Sequence, residues 1–140
     1  MLFRSESGSD RIAEAVENIP ADIVVNVQGD EPFVNKEALE ALLRAFEGPD
    51  GAGVQVASLM QRMTNPKQIN DPNFVKVAVD KNFFSLFFSR SVIPYPRAIL
   101  PGTCYYEHIG VYAFRKEALM RFTQWEMTPL EAAEKVECLR

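Results

Sequence analysis

Residues Ile23-Val24-Val25-Asn26-Val27 are almost continuously apolar and β-branched, and they run straight into the polar turn Gln28-Gly29-Asp30-Glu31-Pro32. Such a run fits a strand buried on both faces, as in a parallel sheet. In open α/β sheets ligands sit outside the carboxyl ends of the strands, which is where this turn lies. A carboxylate there, behind a glycine that lets a ligand approach the backbone, is placed to hold Mg²⁺ against phosphate oxygens. Asp30 is therefore a candidate metal ligand, although a Gly-Asp turn between strand and helix is also common without any metal.

Clear periodicities flank this segment. Ser9 or Asp10 caps a predicted helix with Ile12, Ala13 and Val16 on one face, stopped by Asn18 and Pro20. Asn35 caps a second helix, whose apolar stripe is Ala38, Leu39, Leu42, Leu43 and Phe46, and the segment 48–51 ends it. Residues 55–60 predict a strand and 63–72 a loop with a short turn of helix. Residues 74–79 alternate like a half-buried strand, which Asp80-Lys81-Asn82 turns into 83–88 as a hairpin. Prolines 94, 96 and 101 stiffen the following loop. A strand over 108–114 and a short helix over 116–122 come next. Thr128-Pro129-Leu130-Glu131 is a capping box opening a helix that carries Leu130, Ala133, Val136 and Leu139. Alternating strands and helices followed by clustered strands indicate an α/β sheet with an inserted antiparallel portion. The chain lacks a first strand and reaches Arg140 with the predicted helix still running, so residues 1–140 are expected to be one partial domain from the middle of a larger enzyme.

Composition narrows the function. A net charge of −4 argues against a wide nucleic-acid or anionic-membrane surface. No apolar run approaches the ~20 residues of a bilayer-spanning helix, and the first residues do not form a signal peptide. Cys104 and Cys138 form no CxxC pair and have a single histidine for company, which argues against a zinc site and for a reducing, cytoplasmic setting.

Several blocks together resemble one family. Val25-Asn26-Val27-Gln28-Gly29-Asp30-Glu31-Pro32 is similar to the V-N-x-Q-G-D-E-P segment of 3-deoxy-D-manno-octulosonate (Kdo) cytidylyltransferases. Ser7-Gly8-Ser9-Asp10-Arg11 resembles the family's S-G-T-D-R, and Asn73-Phe74-Val75-Lys76-Val77 its N-x-V-K-V strand. Residues 87–94 match Y-F-S-R-x-x-I-P, and residues 108–115 match H-x-G-x-Y-x-[FY]-R. Trp125 with Thr128-Pro129-Leu130-Glu131 through Leu139-Arg140 resembles W-x-x-[ST]-P-L-E…E-x-L-R. The blocks keep the family's order over nearly the whole chain.

The resemblance implies a truncated, nucleotide-diphospho-sugar transferase-like Rossmann-type sheet, and transfer of CMP from CTP to Kdo with release of pyrophosphate, as a homodimer using Mg²⁺. It implies that Asp30 is the catalytic Mg²⁺ ligand and that Ser7 and Gly8 lie against cytosine. Gln28, Arg90, His108, Tyr112 and Glu137 would contact the sugar acid. The residue types suit these roles: Arg90 can grip a carboxylate with two parallel bonds, and His108 and Tyr112, four apart, share a strand face. Each also has a plainer reading. Arg90 could be a solvated loop arginine, His108 a hydrogen-bonded structural histidine, and Tyr112 core packing beside Phe114. Glu131, Glu134 and Glu137 could form a solvated helix face, with Lys135 pairing Glu131.

The chain departs from the family pattern in several places. Ser5 stands where a histidine is usual, Ser9 replaces threonine, and Cys138 stands where glutamine is usual. The family's basic P-A-R-x-x-S-x-R-x-P-x-K loop and its G-x-D-T turn are not in these residues, so the 140 residues alone are expected to be inactive. The alternatives are another sugar nucleotidyltransferase, such as one activating sialic acid, and a non-catalytic remnant that keeps the fold.

Overall fold

A computed structural model describes residues 8–29, 34–98 and 102–140. These residues cluster into two compact units, one of Met1–Leu59 with Gly110–Glu126 and the other of Met60–Ile109 with Met127–Arg140.

In the first unit, helix α1 (Gly8–Val16) buries Ala13 and half-buries Ile12 and Val16, the face predicted from their spacing. Ser9, expected at the cap, lies inside the helix. The carbonyls at its far end are satisfied by Lys116, whose Nζ donates to the oxygens of Glu17 (3.0 Å) and Ile19 (2.6 Å), a favourable place for a cation. Strand β1 (Ile23–Val27) pairs antiparallel with the C-terminal half of β5 (Tyr105–Arg115), from Ile23 opposite Arg115 to Val27 opposite Val111. This corrects the expectation of a parallel strand buried on both faces. Val24 and Asn26 are buried while Val27 is exposed, because β-branched runs indicate a strand without specifying its partner or its covered face.

Helix α2 (Lys36–Arg44) starts where Asn35 Oδ1 accepts from the Ala38 N–H at 2.9 Å. Its stripe buries Leu42, with Phe46 just beyond, but leaves Leu43 exposed. The segment read as a helix stop is itself a short helix, α3 (Gly48–Gly51). Here Gly51 is required by packing: a Cβ on it would meet the Phe46 carbonyl carbon at 2.3 Å. Arg115 ties this corner down, donating from Nε to Val54 O (2.9 Å) and from Nη2 to Gly51 O (2.8 Å), with its guanidinium 5.5 Å from the centre of the Phe46 ring. Helix α5 (Lys116–Phe122) completes the unit with Leu119 fully buried; Val111, Ala113 and Phe114 of β5 are buried too, and the helix's Phe122 ring lies 6.0 Å from that of Phe114.

The second unit has a different interior. Strand β3 (Lys76–Val79) lies between β4 (Ser85–Ser89) and the N-terminal half of β5, antiparallel to both, with a bulge between Ala78 and Val79. Strand β2 (Val56–Met63) enters the unit at its C-terminal end, followed by α4 (Pro66–Asn70). Among the described residues of this unit the buried apolar ones are Met63, Val77 and Val136, and the buried polar ones Lys76, Ser89 and Glu131. With so few apolar side chains enclosed, the unit depends on satisfied polar contacts. Thr128 Oγ1 accepts from Glu131 N–H (3.1 Å) at the start of α6 (Pro129–Glu134) and donates to Leu139 O (2.7 Å). The expected long final helix is not formed. Lys135 adopts a left-handed conformation (φ 53°), ends α6, and leads to a 3-10 turn at Glu137–Leu139.

Candidate functional site

The expected site residues fall in both units. In the first, Gly8 opens α1 so close to β1's exit that a Cβ on it would touch Gln28 Nε2 at 3.8 Å. The strand end and the helix start thus bring Gly8 and Gln28 together. Behind them are two buried polar atoms, Ser9 Oγ and Asn26 Nδ2, with no hydrogen-bond partner among the described residues. Buried polar groups in this condition ordinarily face water or a ligand. Tyr112 is buried in the core of this unit, with its ring 5.8 Å from that of Phe114. Ser7 and Asp30 lie outside the described residues, as do Glu31 and Pro32. Among the described residues no three His, Cys, Asp or Glu side chains converge on a metal position.

In the second unit, Arg90, His108 and Glu137 meet surroundings that their spacing did not foretell. The Arg90 guanidinium donates to three backbone carbonyls: Nε to Glu134 O, Nη1 to Pro72 O at 2.8 Å, and Nη2 to Lys135 O at 3.3 Å. Two of its five N–H groups thereby fasten the end of α6 and a third the Pro72 loop, leaving two for any other acceptor. Glu134, expected on a solvated face, is the counterpart. Its Oε1 accepts from Ser89 Oγ (2.7 Å) and its Oε2 from the Arg90 N–H (2.8 Å), and these bonds, Arg90's first, hold its carboxyl below the usual range.

Glu131 likewise belongs to no solvated face, and it does not pair with Lys135. It is buried, and Arg140 donates to it through Nε (3.0 Å) and Nη2 (2.8 Å). Lys76 is fully enclosed, with Nζ donating to Asp71 O (3.0 Å) and Phe74 O (2.6 Å). Burial pushes its pKa below the ordinary lysine value, against the pull of Asp71.

His108 is half-buried, its ring set edge-on to Phe88 at 5.0 Å and 79°. Burial lowers its pKa to about 4, so the imidazole is neutral at pH 7 and offers one donor and one acceptor instead of a cation. Its Nε2 lies 3.9 Å from Cys138 Sγ. Beside Cys138 in the chain, Glu137 Oε1 is buried with no hydrogen-bond partner among the described residues, so an acceptor is left for an incoming donor. Nothing in the local sequence signals the His108–Cys138 approach or the buried Lys76. Both are made by residues distant in sequence or by loop carbonyls.

This mixed α/β arrangement is that of the nucleotide-sugar transferase-like proteins. A solved structure of a CMP:2-keto-3-deoxy-manno-octonic acid synthetase complexed with CTP superposes with a TM-score of 0.87 at 37% identity, over 97% of this chain and 55% of that one. The chain is 57% identical over 135 residues to the 3-deoxy-manno-octulosonate cytidylyltransferase of Flavobacterium johnsoniae, and 53% identical to that of Christiangramia forsetii. Each alignment covers 96% of this chain and 55% or 54% of the relative, so the chain spans about half the length of the curated relatives it matches. Residues 3–140 match the family profile described as cytidylyltransferase; the chain belongs to the cytidylyltransferase family.

Proposed function

We propose that these residues form part of a CTP:Kdo cytidylyltransferase, which joins the anomeric hydroxyl oxygen of Kdo to the α-phosphorus of CTP as the bond to the pyrophosphate leaving group breaks. The observation that carries this reading is the 57% identity to a protein of that name over 96% of the chain. The first unit would contribute to nucleotide and sugar binding through Gly8 and Gln28, with Ser7 beside them in sequence. The paired approach of Gly8 and Gln28, and the unpartnered Ser9 Oγ and Asn26 Nδ2 behind them, support a polar ligand at that strand end. In the second unit Glu137 Oε1 would accept from a sugar hydroxyl, and neutral His108 would donate or accept without adding charge. Arg90 would act chiefly by holding α6, keeping two N–H groups for the sugar carboxylate. Tyr112 would act from the core of its unit.

Asp30 is the residue of this chain that would hold Mg²⁺, which when bound neutralises charge on the triphosphate. The protein would work as a homodimer in the cytoplasm. The hairpin of β3 and β4 supports the dimer: Phe83 and Phe84 in its turn are 69% and 60% exposed and Leu86 on β4, the last strand of the sheet, is 66% exposed, an apolar edge that a second copy would cover.

The full-length protein assayed for pyrophosphate release with CTP, Kdo and Mg²⁺ tests the reading. Turnover is expected with Kdo, and Asp30→Asn should lower it by orders of magnitude. Preference for a sialic acid in place of Kdo would favour a different sugar nucleotidyltransferase, and binding without turnover a non-catalytic remnant. The 140 residues alone are expected to release no pyrophosphate, because Mg²⁺ held through one carboxylate depends on further protein or substrate oxygens.

A further inference from the structure

Residues 89–91 and the end of α6 meet through Glu134. Its two carboxylate oxygens accept from consecutive residues, Oε1 from Ser89 Oγ (2.7 Å) and Oε2 from the Arg90 N–H (2.8 Å). Ser89 is buried, and its Oγ also accepts from the Ser91 N–H at 3.0 Å, so the backbone that carries Arg90 is pinned on both sides. The tip of Arg90 is held separately. The carbonyls of Glu134 and Lys135, left over where α6 ends, accept from its Nε and Nη2. The Pro72 carbonyl accepts from Nη1, and it lies between Asp71 and Phe74, whose own carbonyls are tied to the enclosed Lys76 ammonium.

Nη1 and Nη2 each spend one N–H on these bonds, so the two that remain sit one on each terminal nitrogen. A carboxylate can take such a pair with two parallel bonds. Arg90 is partly exposed, so a ligand can reach it, and an arginine already fixed at both ends gives up little rotamer freedom on binding. We propose that Glu134 is a positioning residue for the sugar acid: by holding Ser89 Oγ and the Arg90 N–H at once, it aims the two remaining Arg90 N–H groups at the substrate carboxylate. This role presupposes the CTP:Kdo transfer proposed above and adds to it a residue that does not itself touch substrate. Geometry, not charge, is what Glu134 supplies. A glutamine can accept from the Arg90 N–H through Oε1 and donate to Ser89 Oγ through Nε2, whereas an aspartate is one carbon too short to reach both.

The full-length protein is assayed for pyrophosphate release with Mg²⁺, varying Kdo and CTP in turn. In Glu134→Ala and in Glu134→Asp the KM for Kdo is expected to rise about tenfold, the equivalent of immobilising one long side chain. The KM for CTP should stay within about twofold of the parent value, since only sugar binding is disturbed. Glu134→Gln should bring the KM for Kdo back to within about threefold of the parent, because both bonds are rebuilt without the charge. KM does not depend on the folded fraction, so a variant that folds in part still reports. A Kdo KM unchanged in either Glu134→Ala or Glu134→Asp, equal rises for Kdo and CTP, or a Glu134→Gln variant as impaired as Glu134→Ala would each overturn the proposal and leave the transfer itself standing. No turnover of Kdo by the unaltered protein would instead refute the transfer, and this role with it.

Discussion

Arg90 and Glu134 hold each other by main chain and side chain at once: the Arg90 N–H donates to the Glu134 carboxylate at 2.8 Å, and the Arg90 Nε donates to the Glu134 backbone oxygen. The end of β4 and the end of α6 are thus locked by bonds that each require a particular atom. Arg90→Lys keeps the charge but removes the planar fork. The variant is expected to lose about 1–3 kcal/mol of stability, the range for bonds to a charged group, as read from its urea midpoint. An unchanged midpoint would show that the guanidinium contacts contribute nothing to the fold.

Glu131 and Arg140 make a buried two-bond ion pair. Arg140→Met leaves a carboxylate buried without its partner and is expected to cost about 3–5 kcal/mol, whereas replacing both residues with apolar ones of similar size should recover much of that loss. A double-mutant cycle in chemical denaturation checks the claim; additive losses would contradict it.

The neutral imidazole of His108 makes stability depend on pH. Its pKa is about 4 in the fold and about 6.5 in an unfolded chain. Between these values the unfolded state binds more protons, so stability falls as pH drops from 6.5 toward 4, by up to roughly 3 kcal/mol. Glu134, whose pKa is lowered in the fold, adds stability above the ordinary carboxylate range that is lost as pH falls through its folded value. Denaturation midpoints measured from pH 4 to 7 should show the slope, and His108→Gln should flatten it.

Gly51→Ala is expected to cost about 3 kcal/mol, because the added methyl carbon would press on the Phe46 backbone, which cannot move aside as a flexible side-chain tip can. Thermal unfolding reads this directly, and a variant as stable as the parent would refute the packing argument.

The sequence disclosed what is local. The Asn35 cap and the buried positions of α1 and α2 follow from neighbours within a turn or two, and so does the Thr128 half of the capping box. What it hid are contacts made over distance. Glu131 and Glu134 read as a solvated stripe because three-residue spacing carries no sign of Arg140 or of Ser89 and Arg90, the last two more than forty residues away. The direction of β1 depended on β5, almost ninety residues on. Of the candidate site, the approach of Gly8 to Gln28 follows from a strand entering a turn near a helix start, while His108 and Cys138 meet only because α6 ends at Lys135.

The enclosed ammonium of Lys76 gives the second unit a built-in reporter of its own opening. An amine-acylating reagent can reach Nζ only after the loop before β3 opens and the bonds to Asp71 and Phe74 break. Lys36, whose side chain is 83% exposed and holds only a surface ion pair with Glu40, reacts in the same tube without any opening of the fold. The ratio of the two labels in one digest therefore measures how often this part of the small, polar-cored unit opens under native conditions, without denaturant.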